Sequence, residues 1–360
     1  YNVGLGRSAL VSNTTASNNT AVGYQSLYAN TTGTRNTAVG MQALKTVTTG
    51  NYNTAVGYQA LELNTGNNNT AVGDQALEAN TSGASNSALG DDALVANTTG
   101  SSNTAMGESA LGSNTTASNN TAVGYQAMDA NTTGTSNTSV GKSSLGANVT
   151  GNSLTAIGSN ALLSNTTSGN TAVGSNAAYN NTSGRVDAFG VNAAYNNTTG
   201  NYNSAFGQQN GFLAALQSNT TGSSNAAFAT GALGNTTTGS SNTGIGVAAL
   251  YSNTTANYNT AVGYQAMYDN TTGTSNVAMG RLALQDNTSG SNNVALGMNS
   301  LALNTTASNN TAIGFEAGYS TTTGVENTYL GRNAGYNVTT GNKNTIVGAF
   351  HGNQGGLDIR

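Results

Sequence analysis

The chain has 360 residues, with 48 Gly, no Pro, no Cys and no Trp, and a formal net charge of −4. Only 6% of its residues are charged, against about 25% in an average soluble protein. That leaves no basic footprint for nucleic acid, no thiolate or disulfide chemistry, and no apolar run near the ~18 residues of a membrane-spanning helix.

One polar sentence recurs from the first residues onward. Residues 120–137 read NTAVGYQAMDANTTGTSN and residues 259–276 read NTAVGYQAMYDNTTGTSN. The Gly that closes each AVG triplet marks the unit: Gly6, Gly23, Gly40, Gly57 and onward to Gly348, with Ala229 in its place once. The spacing is 17 in all but four steps, giving 21 marked units over residues 1–348. A strict short period means a solenoid or an array. A helical-hairpin repeat needs about 33 residues or more, so the expected fold is all-β: a β-solenoid or β-roll of about 21 coils.

The register within a unit suggests which side chains turn inward. The residue before the marker is apolar (Val22, Val56, Val123, Val262), and four after it stands Leu or Met (Leu27, Leu61, Met128, Met267). Three after it is small, as in Ala43, Ala60 and Ala127, and one after it is unrestricted, as in Tyr24, Asp74 and Lys142. Apolar and size-restricted positions are expected inside. The repeat core is therefore placed at Val22, Gly23, Leu27, Val56, Gly57, Leu61, Val123, Gly124, Met128, Val262, Gly263 and Met267. Asn recurs four before the marker (Asn19, Asn36, Asn53, Asn259) and seven after it (Asn30, Asn80, Asn131, Asn270). At the ~4.8 Å spacing of stacked strands such side chains are expected to form amide ladders. Buried ladders also argue against reading the Asn-Thr-Thr triplets as glycan acceptors.

The departures follow in chain order. The step 57→73 is 16 residues long, the missing residue lying in the Asn-Thr-Gly turn, where length changes are tolerated. Between Lys45 and Lys142 there is no basic residue, and Asp74, Asp91 and Glu108 share one position on three successive units. Stacked carboxylates repel, so these three are a candidate cation ladder against the plainer reading of a solvated acidic face. GKSS at 141–144 echoes a P-loop but has Ser136 where that motif needs Gly. Two more 16-residue steps follow, 158→174 and 174→190. The long step 207→229 adds five residues around NGFLAAL, and Phe212, Leu213 and Leu216 in this bulge are candidate contacts for a partner or for the chain's own side. His351, the lone histidine, lies in an irregular junction at 349–360. No acid, base and nucleophile converge, so no enzyme, cofactor or metal is assigned.

The NTAVGYQAL-type units joined by NTTGxxN resemble the repeat shafts of phage tail-fibre proteins, especially those with a C-terminal self-cleaving intramolecular chaperone. The ending GNQGGLDIR (352–360) resembles the junction that leads toward that chaperone. More distantly, the A-[VI]-G-x-x-[AS] core resembles the head repeats of trimeric autotransporter adhesins, whose units are usually shorter. The resemblance implies a parallel homotrimeric fibre located on a virion, or otherwise extracellular or at a cell surface. It implies a host cell-surface glycan or protein bound through other segments. The thin core per coil and the continuous small column Ala43, Ala60, Ala76, Ala93, Ala110, Ala127 point the same way, toward chains packed side by side. Tyr1 already stands inside the pattern, which reads as part of a longer product. Three roles stay open: a structural shaft, a bacterial surface adhesin or filament of the same architecture, and an ice-binding solenoid. The last is disfavoured because the Thr columns of the turns are interrupted at Val47, Ser82 and Ser183.

Overall fold

The Thr-Ala-Val triplet is β-branched, small, β-branched, and it is followed by a Gly that ends the strand. Each such triplet forms one short strand in the computed structural model, which describes residues 1–349 and His351. There are 21 described strands of three or four residues, β1 (Val3–Leu5) to β21 (Thr345–Val347), and among the described residues there is no helix. The chain divides into two units, Tyr1–Ser175 with β1 to β11 and a second beginning at Asn176 with β12 to β21.

Within the first unit the strands stack parallel and in register. β3 (Thr37–Val39) meets β4 (Thr54–Val56) as Thr37 on Thr54, Ala38 on Ala55 and Val39 on Val56. The second unit repeats this, for example with Thr243, Gly244 and Ile245 of β15 on Thr260, Ala261 and Val262 of β16. The coil that starts at Asn53 shows how neighbours are held. The N–H groups of Thr54, Leu61, Leu63 and Thr65 donate forward to Asn69, Ala76, Glu78 and Thr81 at 2.7–3.1 Å, whereas those of Gly57 and Gln59 donate backward to Val39 and Met41 at 2.8 and 3.0 Å. Each coil therefore satisfies its backbone groups against the coils above and below, as buried backbone requires.

The marker Gly is fixed by geometry. Gly57 has φ +145°, and a Cβ there would lie 2.0 Å from the Gly73 carbonyl oxygen of the next coil. After it the backbone takes left-handed conformations at alternate residues: Gln59 has φ 52° and Leu61 has φ 54°, and their equivalents do likewise in nearly every coil. A non-Gly residue pays about 1–2 kcal/mol in that region, and it persists only where its surroundings over-determine it. Here the stacked coils do so.

The core differs from the sequence expectation at one column. In the three-residue strands between the two end strands the middle residue turns inward: Ala21, Ala38, Ala55, Ala122 and Ala261 are fully buried, with Leu27, Leu61, Met128 and Met267 beside them. The residue before the marker turns outward. Val22, Val123 and Val262 are half-buried and Val56 is 37% exposed, so these four do not belong to the core. Strand side chains alternate between faces, and with the middle Ala packed inward beside the Leu or Met of the coil, the Val next to it must face outward. Apolarity alone gave the wrong face. Gly23, Gly57, Gly124 and Gly263 lie in the coil wall rather than in its interior. The small column Ala43, Ala60, Ala76, Ala93, Ala110, Ala127 is fully buried inside the protomer and cannot touch a neighbouring chain. The 352–360 part of the expected junction lies outside the described residues.

Candidate functional site

The Asn columns are structural. At the position seven after the marker, Asn97 Nδ2 donates to Asn80 Oδ1 at 2.7 Å and Asn114 Nδ2 to Asn97 Oδ1 at 2.9 Å. Asn131 and Asn148 continue the amide ladder at 3.0 and 3.1 Å. Each also donates to a turn carbonyl, as Asn97 does to Gly100 at 3.0 Å. Asn30 and Asn80 bond Gly33 and Gly83 in the same way, and Asn270 bonds Gly273. The column four before the marker works differently. Asn36 and Asn53 donate their backbone N–H to the side-chain oxygens of Asn19 and Asn36, both at 2.9 Å, while Nδ2 of Asn19, Asn36 and Asn259 reaches Gly33, Gly50 and Gly273 at 2.8 Å.

The acidic stretch is split between columns. Asp74, Asp91 and Glu108 are exposed on successive coils, one after the marker. Glu78 lies on another column; burial first, then the charge of Glu62, raises its carboxyl above the ordinary range. Asp92 is likewise raised by burial, then by Asp91 and Asp74. Glu62 is paired with Lys45 at 2.8 Å and accepts from Gln59 at 2.7 Å. Among the described residues no group of three or more His, Cys, Asp or Glu is arranged to hold a metal ion. The three carboxylates are spaced by the repeat, without convergence on a point.

The bulge also resolves into packing. Leu216 occupies the core position of its coil, fully buried with φ 49°, and is no surface contact. Phe212 packs edge-on against Tyr251 of its own chain, ring centroids 5.4 Å apart. Leu213 is half-buried, and its carbonyl accepts from the Gly231 N–H at 2.8 Å. His351 tilts against Tyr336, ring centroids 6.0 Å apart.

What the sequence reading missed is the outer face of the sheet. Thr and Val of each triplet point out as two parallel ridges with the strand backbone over the buried Ala between them. Around Thr70, Val72, Ser87, Leu89, Thr104 and Met106 they enclose a shallow groove floored by Ala88 and Ala105. In the second unit the outer ridge carries stacked rings, Phe189 on Phe206 at 4.5 Å and Phe206 on Phe228 at 4.9 Å. The signal was present in the strict alternation of the triplet, which puts the two β-branched residues on one face. No protein-family model matches the chain, and no curated protein matches it.

Proposed function

We propose that the chain is a structural shaft segment, of the phage tail-fibre kind, that assembles with copies of itself as a parallel homotrimer and carries a host-binding tip supplied by other segments. The observation that supports this reading is that each coil spends its distinctive residues on the coil next to it. Buried Asn, marker Gly and left-handed Leu all serve stacking. The outward charges and rings also pair along the stack. Arg7 lies over Tyr24 at 6.0 Å and Arg35 over Tyr52 at 5.1 Å, each on the next coil. Such a chain supplies length in units, and each coil adds about 4.8 Å. A surface adhesin or filament on a bacterium uses the same property and differs in what the full-length protein anchors to.

The test is removal of whole coils from the full-length protein. Deleting residues 121–137, one 17-residue period, is expected to leave assembly and host attachment intact and to shorten the fibre by about 5 Å per coil removed. Loss of attachment after this deletion, with folding intact, would overturn the shaft reading.

A second reading gains one observation. The column three before the marker runs Thr20, Thr37, Thr54, Thr70, Ser87, Thr104 in the first unit and lies on the sheet rather than in a turn. That gives the ice-binding alternative a hydroxyl row on a strand face; inhibition of ice recrystallisation by the monomeric chain is its measurement.

A further inference from the structure

We infer that the outward Thr/Val face of the sheet is the surface on which copies of this chain join, side by side, parallel and in register. This rests on the self-assembly in the reading above and names the face that performs it. The face is apolar along one ridge. In the first unit every residue before the marker, from Leu5 to Val173, is Val, Leu, Ile or Met, and in the second, from Phe189 to Val347, Phe joins them. The larger members expose 40–47% of their surface, as at Leu89, Met106, Ile157 and Met279. Neither ridge of the first unit, from β1 to β11, carries a charged residue, whereas the flanking column one after the marker carries Arg7, Asp74, Asp91, Glu108 and Lys142. The same column also exposes Tyr24, Met41, Tyr58 and Tyr125, so on that side an uncharged apolar centre gives way to a mixed polar and aromatic border, as at protein interfaces.

The area and the spacing identify the occupant. The two ridges of the first unit alone expose on the order of 600–800 Å², which exceeds the usual patch of a monomer and matches the ~800 Å² per partner of a stable interface. A covering surface must present grooves at the same ~4.8 Å repeat over ten coils. A second copy of this chain does so by construction, since its own face has a ridge, a groove such as the one between Thr70–Thr104 and Val72–Met106, and a second ridge. Parallel, in-register stacking also brings unusual levels together, so that Phe189, Phe206 and Phe228 meet their own equivalents. An ice surface or a partner of another repeat would not share these irregularities.

The test uses light scattering, together with crosslinking through cysteines introduced into a chain that has none. The triple variant Val39→Lys, Val56→Lys, Val72→Lys places charge on three outward positions, so its circular dichroism is expected to match the wild type. Its half-assembly concentration is expected to rise by at least about a hundredfold. Separately, Val56→Cys is expected to link chain to chain with a short bismaleimide, and Leu63→Cys, exposed on another side of the coil, is not. A wild-type chain that is monomeric at tens of micromolar overturns the inference. So does a triple variant that assembles as well as the wild type, or Leu63→Cys linking as readily as Val56→Cys. In the last two cases self-assembly survives and only the face is wrong. The shaft reading is judged separately, by the coil deletion.

Discussion

At Tyr329 one departure from the repeat is absorbed by three others. Tyr329 stands where most strands have Ala, and it is fully buried. Its ring fits because Gly318 of the preceding coil and Gly335 of its own coil stand where Leu or Met is usual. A Cβ at those positions would approach the ring to 2.6 and 2.3 Å. Both glycines have positive φ, 61° and 65°, but Leu301 takes 48° at the same place, so ring volume rather than backbone angle selects Gly there. Thr321 replaces the ladder Asn and donates to the Tyr329 hydroxyl at 3.2 Å. The four residues are therefore coupled. Gly335→Leu alone is expected to cost about 3 kcal/mol or more through overpacking, and the same change in a Tyr329→Ala background is expected to stabilise, because it refills the space the ring vacates. Denaturant unfolding of the four proteins of that cycle checks it; additive effects would show that the ring and Gly335 do not compete for one volume.

The Asn ladder is the element that sets the cost of a broken repeat. Among the described residues, three buried side-chain oxygens lack a hydrogen-bond partner, those of Asn30, Asn219 and Asn304. In each case the next coil has lost its ladder Asn, to Val47, Thr236 and Thr321 respectively, so Val47 interrupts the Asn column and not, as the sequence suggested, a Thr column. The unpaired acceptor is the direct consequence of a missing amide donor, and an unsatisfied buried acceptor costs about 1–3 kcal/mol. Thr236→Asn is therefore expected to stabilise by about 1 kcal/mol. The introduced amide can donate to Asn219 Oδ1 and to the Gly239 carbonyl, as every intact rung does. Asn97→Asp is expected to destabilise by several kcal/mol, because a carboxylate has no N–H for Asn80 Oδ1 and leaves a buried charge beside it. Melting temperatures of the two variants check both signs. This ladder was legible in the sequence because Asn at a fixed phase has few other uses in a strand stack. The orientation of Val56 was not, since apolarity and inwardness part company when the interior is only wide enough for Ala55, Ala60 and Leu61. The left-handed Gln59 and Leu61 left no trace either. Residues that adopt positive φ by local preference are Gly and Asn, and here stacking imposes the angle on side chains that would not choose it.

At the scale of the whole molecule, the sparse charges govern how stability responds to pH. Every carboxyl with a resolved shift is raised, chiefly by burial: Glu78, Asp92, Asp129, Asp269 and Asp286. A raised acid holds its proton longer in the folded chain than in the unfolded one. As pH climbs through the ordinary carboxylate range the unfolded state loses protons first, so stability falls there and levels off once the folded groups have ionised. Read downward, acidification from neutral pH into that range stabilises. The usual opposing effect is weak, because full protonation of the carboxyls leaves only 9 Lys and Arg and 1 His as positive side chains over 360 residues, too few for strong self-repulsion. The alkaline side has the same sign. Burial pushes the Tyr329 hydroxyl up to about 12, against about 10 for an unfolded tyrosine. Its contribution is complete below pH ~10 and is lost as pH rises toward ~12, for about 2–3 kcal/mol in all. The expected profile is thus highest near pH 4, lower and flat from neutral to pH 9, and falling again above 10. Urea unfolding across that range measures it. Glu78→Gln with Asp92→Asn is expected to flatten the acid-side slope, and Tyr329→Phe the alkaline one. A stability that drops on acidification from pH 7 to pH 4 would show that carboxylates held below their ordinary range, rather than these raised ones, dominate the fold.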